Sequence, residues 1–143
     1  MSVPVEHHPD PARFDAVLVG SAVYVGHWLD PAREWVTATA GALRGRPVWL
    51  FSSGPIGEPP FPPDEPYDVG PLVALTRARA SVVFPGRLEK QRLGFGERAM
   101  VTAMRAPTGD FRDWAAIAAW ADSIAVELLH DPAVHTALPG AAP

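Results

Sequence analysis

Two short stretches hold the residue types best suited to chemistry. The first is Gly20-Ser21-Ala22-Val23-Tyr24-Val25-Gly26-His27-Trp28, which follows the apolar run Ala16-Val17-Leu18-Val19. The second is Ser52-Ser53-Gly54-Pro55-Ile56-Gly57, which follows Val48-Trp49-Leu50-Phe51. Each brings backbone N–H groups, serine hydroxyls and glycines to the end of an apolar run, and the first adds the rings of Tyr24 and Trp28. Aromatic faces stack on flat ring systems, while amides and hydroxyls bind the carbonyls and nitrogens at a ring's edge. The pair suits a planar, polar-edged ligand, and a flavin has that shape.

The surrounding elements must bring these stretches together. Phe14 to Gly20 is rich in aliphatic residues without polar alternation, as in a strand covered on both faces of a parallel sheet. Asp30 is placed to cap a helix with Pro31 at its first position, and Ala32, Trp35, Val36, Thr39, Ala40 and Leu43 recur at helical spacing. Val48 to Phe51 reads as a second strand and Ala80 to Phe84 as a third, with a short helix over Leu72 to Arg79 between them. Helical periodicity returns over Glu97 to Arg105. It returns again after Asp113, where Trp114, Ile117, Ala121, Ile124, Ala125 and Leu128 form a stripe that ends near His130. Val3-Pro4-Val5 reads as the end of an edge strand, and prolines at 59, 60, 62, 63, 66 and 71 mark a surface excursion. The alternation of strands and helices implies a parallel sheet with right-handed crossovers and helices on both faces. Parallel strands end together, so both glycine-bearing stretches fall at one edge of the sheet.

Composition narrows the function classes. A chain of 143 residues with 48% hydrophobic and 20% charged residues fits one globular domain, read as 1–137 with a disordered tail at 138–143. The formal net charge of -4 gives no chain-wide pull toward nucleic acid. With no cysteine, thiol catalysis and thiolate metal sites are excluded. No apolar run approaches the ~20 residues of a membrane span, and no signal peptide is visible, so a cytoplasmic location is expected. His7-His8 has nothing near it to complete a metal site, and no metal is expected. His27 is either a proton donor beside a bound ring or a solvated loop residue. Arg87, Lys90, Arg92 and Arg98 could meet an anionic ligand, but Glu89 and Glu97 interleave with them as on a solvated face. A serine nucleophile at Ser21 or Ser53 lacks a G-x-S-x-G elbow and a placed base.

The stretch from Phe14 to Trp28 resembles the "(Y/F)DAVVLGSAVYxGxW" segment of flavodoxin-domain proteins related to menaquinone-dependent protoporphyrinogen oxidase. The similarity continues through Pro47 to Gly57, Gly86-Arg87-Leu88 and Asp110-Phe111-Arg112-Asp113-Trp114, covering about residues 3 to 129. It implies a flavodoxin-like three-layer α/β/α sandwich with a parallel sheet, and FMN lying between the two loops. By position, Ser21, Ala22, Val23, Tyr24, Val25 and Gly26 form the first ring-binding loop, and Ser52, Ser53, Gly54, Pro55, Ile56 and Gly57 the second. The implied activity is FMN-dependent oxidoreduction or electron transfer with a quinone, a porphyrinogen or a redox partner protein.

The chain departs from that family in one respect. Flavodoxin-like proteins open with a strand, a T-x-T-G-x-T-type phosphate loop and a helix, whereas Met1 to Glu6 corresponds to the family's second strand. A first unit of roughly 35 to 40 residues, the length of a strand–loop–helix, has no counterpart. Two functions therefore stand side by side: an FMN redox protein, and a cofactor-free interaction or remnant module that forms a homodimer through an exposed sheet seam.

Overall fold

The computed structural model describes residues 1–54, 65–88, 94–96, 98–99 and 109–135. The chain order is β1 (Val17–Tyr24), β2 (His27–Trp28), α1 (Asp30–Leu43), β3 (Val48–Ser53), α2 (Val69–Thr76), β4 (Ala80–Phe84), β5 (Arg87–Leu88), β6 (Gly109–Asp110), α3 (Trp114–Leu129) and α4 (Pro132–His135). Among the described residues the main sheet runs β2-β1-β3-β4. β1, β3 and β4 are parallel, and β2 folds back antiparallel on the end of β1. This is a flavodoxin-like α/β fold. Most of the predicted helix over Glu97 to Arg105 and most of the proline-rich excursion fall outside the described residues.

Register decides which side chains meet. Val17 pairs with Val48, Val19 with Leu50 and Ser21 with Ser52, so these residues share one face of the sheet. On that face α1 buries Ala32, Trp35, Val36, Ala40 and Leu43, and α2 buries Val69 and Leu72. Together with Val19, Val48, Leu50 and Trp28 they form the core. Each fully buried aliphatic side chain contributes ~1.5–3 kcal/mol relative to exposure.

The opposite face carries Leu18, Trp49 and Ala80, then Gly20, Phe51 and Val82, then Ala22, Ser53 and Phe84. α3 lies against it through Trp120, whose ring makes edge contacts with Phe51 at 5.8 Å and Phe84 at 5.5 Å. Among the described residues no other helix covers this face, and Leu18 is 42% exposed. Of the described elements, helices therefore cover β1 fully on one face only. The inward residues of α3 are Ile117, Trp120, Ile124 and Leu128, at spacings of three and four. Trp114, Ala121 and Ala125, assigned to the stripe from sequence, are exposed, and Trp114 lies under the Arg112 guanidinium. A helix this rich in alanine offers apolar residues all round, so periodicity did not single out its buried side.

The amino-terminal segment forms no edge strand. Val5–His7 is a 3-10 turn, with His7 N–H bonded to Pro4 O at 3.0 Å and His8 N–H to Val5 O at 2.9 Å. Pro4 lacks the N–H that a ladder needs, and no strand lies beside it. Arg46 anchors the stretch from Pro11 to Phe14: its Nη1 donates to Pro11 O and Phe14 O, each at 2.7 Å, and its Nε to Ala42 O at 2.8 Å. Between the amino-terminal segment and β1 runs a groove of about 530 Å³. β1 meets β2 only at Val23 and Tyr24, so along Leu18 to Ala22 that edge has no strand beside it among the described residues.

Gly20 is required by Phe51. A β-carbon on Gly20 would lie 2.1 Å from the Phe51 ring, well inside contact distance. Gly20→Ala is expected to destabilise the fold by ~1–3 kcal/mol, the usual cost of overpacking, and Phe51→Leu should recover part of it. Denaturant midpoints of the two single variants and the double variant check this.

Candidate functional site at the carboxyl ends of the strands

The stretch that reads from sequence as a loop is mostly a β-hairpin. β1 continues through Ser21, Ala22 and Val23 to Tyr24, and Val25-Gly26 turns the chain into β2. Both turn residues have positive φ, 51° for Val25 and 78° for Gly26, which is the type I′ geometry of two-residue hairpins. The alternation of small and apolar residues in Gly20 to Tyr24 hides a strand behind a loop-like composition.

Ser21 and Ser52 both face α1 and are engaged within the fold. Ser21 Oγ accepts from Leu29 N–H at 3.0 Å and donates to Ala22 O at 2.7 Å. Ser52 Oγ accepts from the indole N–H of Trp28 at 2.8 Å. Trp28, expected to stack on a ligand, is instead 1% exposed and part of the core. The three hydroxyls therefore do not converge: Ser53 projects from the other face of the sheet beside exposed Ala22.

The strand ends approach backbone to backbone. Gly54 N–H donates to Phe84 O at 3.2 Å. A β-carbon on Gly54 would lie 2.8 Å from Val23 Cβ, and one on Gly86 would lie 3.2 Å from the Gly54 backbone. Tyr24 and Val25, at the hairpin tip, are 43% and 49% exposed. Ser21, Ala22, Val23, Tyr24, Val25 and Gly26 thus lie next to Ser52, Ser53 and Gly54. Pro55, Ile56 and Gly57 fall outside the described residues.

A carboxylate that sequence reasoning passed over holds the tip in place. Asp68 Oδ2 accepts from Trp28 N–H at 2.8 Å and faces His27 Nδ1 at 3.2 Å. Its other oxygen lies 3.8 Å from Arg33 Nη1, and Arg33 also pairs with Asp30. Asp30 is therefore a first-turn residue of α1 engaged with Arg33, and the cap position belongs to Leu29. Tyr67 completes the fastening. Its N–H donates to Gly26 O at 2.9 Å, its ring lies 5.1 Å from that of His27, and it would be 2.7 Å from a β-carbon on Gly26. Asp68 stands directly before α2, but its side chain turns to the hairpin and makes no cap bond.

At the rim, β5 pairs with β6, and Phe111 N–H donates to Gly86 O at 2.9 Å. Asp110 accepts from Arg112 Nε at 2.9 Å, Arg112 Nη2 at 2.6 Å and Arg112 N–H at 3.2 Å. The side-chain bonds first, and then the backbone bond, lower its pKa from 3.8 to about 2. The folded carboxylate is thus more acidic than the unfolded one. Its contribution is complete above about pH 4 and is lost as the pH falls toward 2. A carboxyl NMR titration should give about 2 for Asp110, returning toward 3.8 in Arg112→Ala. Asp68→Ala is expected to cost ~1–3 kcal/mol, because it leaves the Trp28 N–H without its acceptor. Faster hydrogen exchange at the Trp28 amide than at the Leu50 amide of the central strand would localise that loss to the hairpin.

Among the described residues no helix is long and apolar enough to cross a membrane, and no three metal-ligating side chains come together. Neither the curated proteins nor the solved structures include a match to this chain. A family model described as "Flavodoxin domain" matches residues 2–114. That span contains the sheet, both strand-end stretches and the Asp68 fastening, and the chain belongs to the flavodoxin-domain family.

Proposed function

We propose that the chain is an FMN-binding redox module of the type related to menaquinone-dependent protoporphyrinogen oxidase. The observation that supports this best is the meeting of the β1, β3 and β4 ends, where Gly54 packs against Val23 and Gly86 against the Gly54 backbone, with Tyr24 and Val25 exposed at the adjoining hairpin tip. The glycines let these strand ends close on one another, and the tip offers the Tyr24 ring and backbone amides to a flat ligand. In this reading Ala22, Val23, Tyr24, Val25 and Gly26 hold one side of the isoalloxazine through backbone amides and the Tyr24 ring. Ser53 and Gly54 hold the other side. Ser21 and Ser52 act through the fold, keeping the hairpin against the sheet by their bonds to Leu29 and Trp28. Bound FMN supplies one- and two-electron transfer, and its chemistry needs positioning more than an acid–base pair from the protein. In this reading a quinone, a porphyrinogen or a partner protein serves as donor or acceptor.

The residues suit the ring better than the phosphate. The described residues of this pole offer no glycine- and hydroxyl-rich loop leading into a helix of the kind that receives a dianion. Affinity should therefore rest on the ring, and riboflavin should bind within about tenfold of FMN, since one charge-assisted bond contributes ~1.5–3 kcal/mol. Quenching of flavin fluorescence on titration with protein tests this. Saturable quenching that weakens at least severalfold in Tyr24→Ala is expected. Protein that leaves both flavins unquenched removes the reading.

A second reading, a homodimer joined at the open sheet edge, is favoured by one observation. Among the described residues Leu18 to Ala22 has no strand paired on that edge, which borders the 530 Å³ groove. Light scattering across a hundredfold range of concentration decides it, because a constant monomer mass excludes pairing of this kind.

A further inference from the structure

The opposite pole of the sheet carries a feature that the flavin reading does not use. Here the chain enters the strands: Phe14 and Asp15 precede β1, Pro47 precedes β3 and Arg79 precedes β4, while the carboxyl ends of α1 and α2 arrive alongside. These segments enclose a hollow of about 470 Å³ lined by Arg13, Arg44, Arg46, Arg77 and Arg79. Five of the chain's 12 basic side chains thus share one concavity in a protein of net charge -4.

Their partners separate structural from available charge. Arg79 is committed: it pairs with Glu127 and Asp131 and lies over the Trp49 ring. Arg46 donates only to carbonyl oxygens, and Arg44 donates through Nη1 to Leu75 O at 3.1 Å, so neither is neutralised by a carboxylate. Arg13 and Arg77 are exposed. Among the described residues none of Arg13, Arg44, Arg46 and Arg77 has a carboxylate within 4.0 Å, and Asp15 is the acidic residue in the lining. Guanidinium groups stay charged at any physiological pH and present paired donors that match phosphate oxygens. Four such groups against one carboxylate exceed what a single phosphate neutralises. The half-buried ring of Phe14 and the buried Pro47 add an apolar wall to the same hollow.

We propose that this hollow is a binding site for an oligophosphate, the pyrophosphate moiety of a nucleoside diphosphate or a related compound, with Arg13, Arg44 and Arg77 as its direct ligands and Arg46 as a fixed cation behind them. The site lies at the far end of the strands from the proposed flavin crevice and does not depend on it.

The geometry of Arg77 supplies a clean test. It comes directly after α2 in the left-handed region, with φ of 57°, a conformation that glycine adopts more easily. Arg77→Gly should therefore fold with an unchanged or higher Tm while losing a ligand. Titration calorimetry with pyrophosphate and with ADP in about 0.1 M salt, where charges are screened beyond ~10 Å, should give micromolar binding to the wild type. Arg77→Gly should weaken it about tenfold, as should Arg13→Gln, matching one charge-assisted hydrogen bond each. Amide NMR shifts at Ala12, Gly45 and Arg77, with none at Ala22 or Gly54, would place the ligand at this pole. Pyrophosphate bound no more tightly than sulfate at equal ionic strength, or as tightly by both variants as by the wild type, overturns the proposal. So does tighter binding of a polyglutamate peptide than of pyrophosphate, which would make an acidic protein segment the ligand.

Discussion

The hydrogen bond from the buried Trp28 indole to Ser52 Oγ determines where the hairpin lies. A two-stranded hairpin extending beyond its sheet has little to stabilise it alone. Sinking Trp28 into the core beside α1 ties the short return strand to the same apolar cluster that holds the sheet. The indole N–H cannot be buried without an acceptor, and Ser52 on β3, one strand beyond β1, provides it. Position 52 therefore needs a small hydroxyl for architectural reasons, and so does position 21, which accepts from Leu29 N–H at the start of α1. The pole proposed to hold a ring is shaped by bonds that point away from it.

The two faces of the sheet are treated unequally. Beneath α1 and α2 the packing is continuous, whereas on the other side one tryptophan, Trp120, bridges Phe51 and Phe84 and leaves the β1 column partly bare. Phe51 fills the space over Gly20 that a larger residue would otherwise occupy. Among the described residues the second layer thus rests largely on this aromatic cluster and on buried Ile124.

Sequence made the architecture legible where apolar runs were uninterrupted. Val48 to Phe51, Ala80 to Phe84 and the α1 stripe gave the parallel order, and Asp113 was correctly read as the cap of α3, with its Oδ1 accepting from Ala116 N–H at 3.0 Å. The site was less legible because its strand is written in loop residues. Gly20, Ser21 and Ala22 carry no β propensity, and what makes them a strand is the ladder from Val17 to Ala22 against β3. Trp28 looked like a ligand-facing ring because sequence cannot say which side of a hairpin faces the core. Asp68 acts over forty positions in the chain, on Trp28, and no local pattern announces such a bond. The arginine hollow escaped notice for the same reason: its members stand at positions 13, 44, 46, 77 and 79, and only the shared starting line of the strands gathers them.

Val25 at the tip has a wider meaning. A β-branched residue at positive φ is uncommon, because its two γ-carbons crowd the backbone, and strain of this type costs ~1–3 kcal/mol wherever it is kept. The Asp68 and Tyr67 bonds hold the turn in that state, so it acts as a loaded spring clamped from one side. Opening of the molecule should begin there, with the tip yielding while the sheet behind it stays intact.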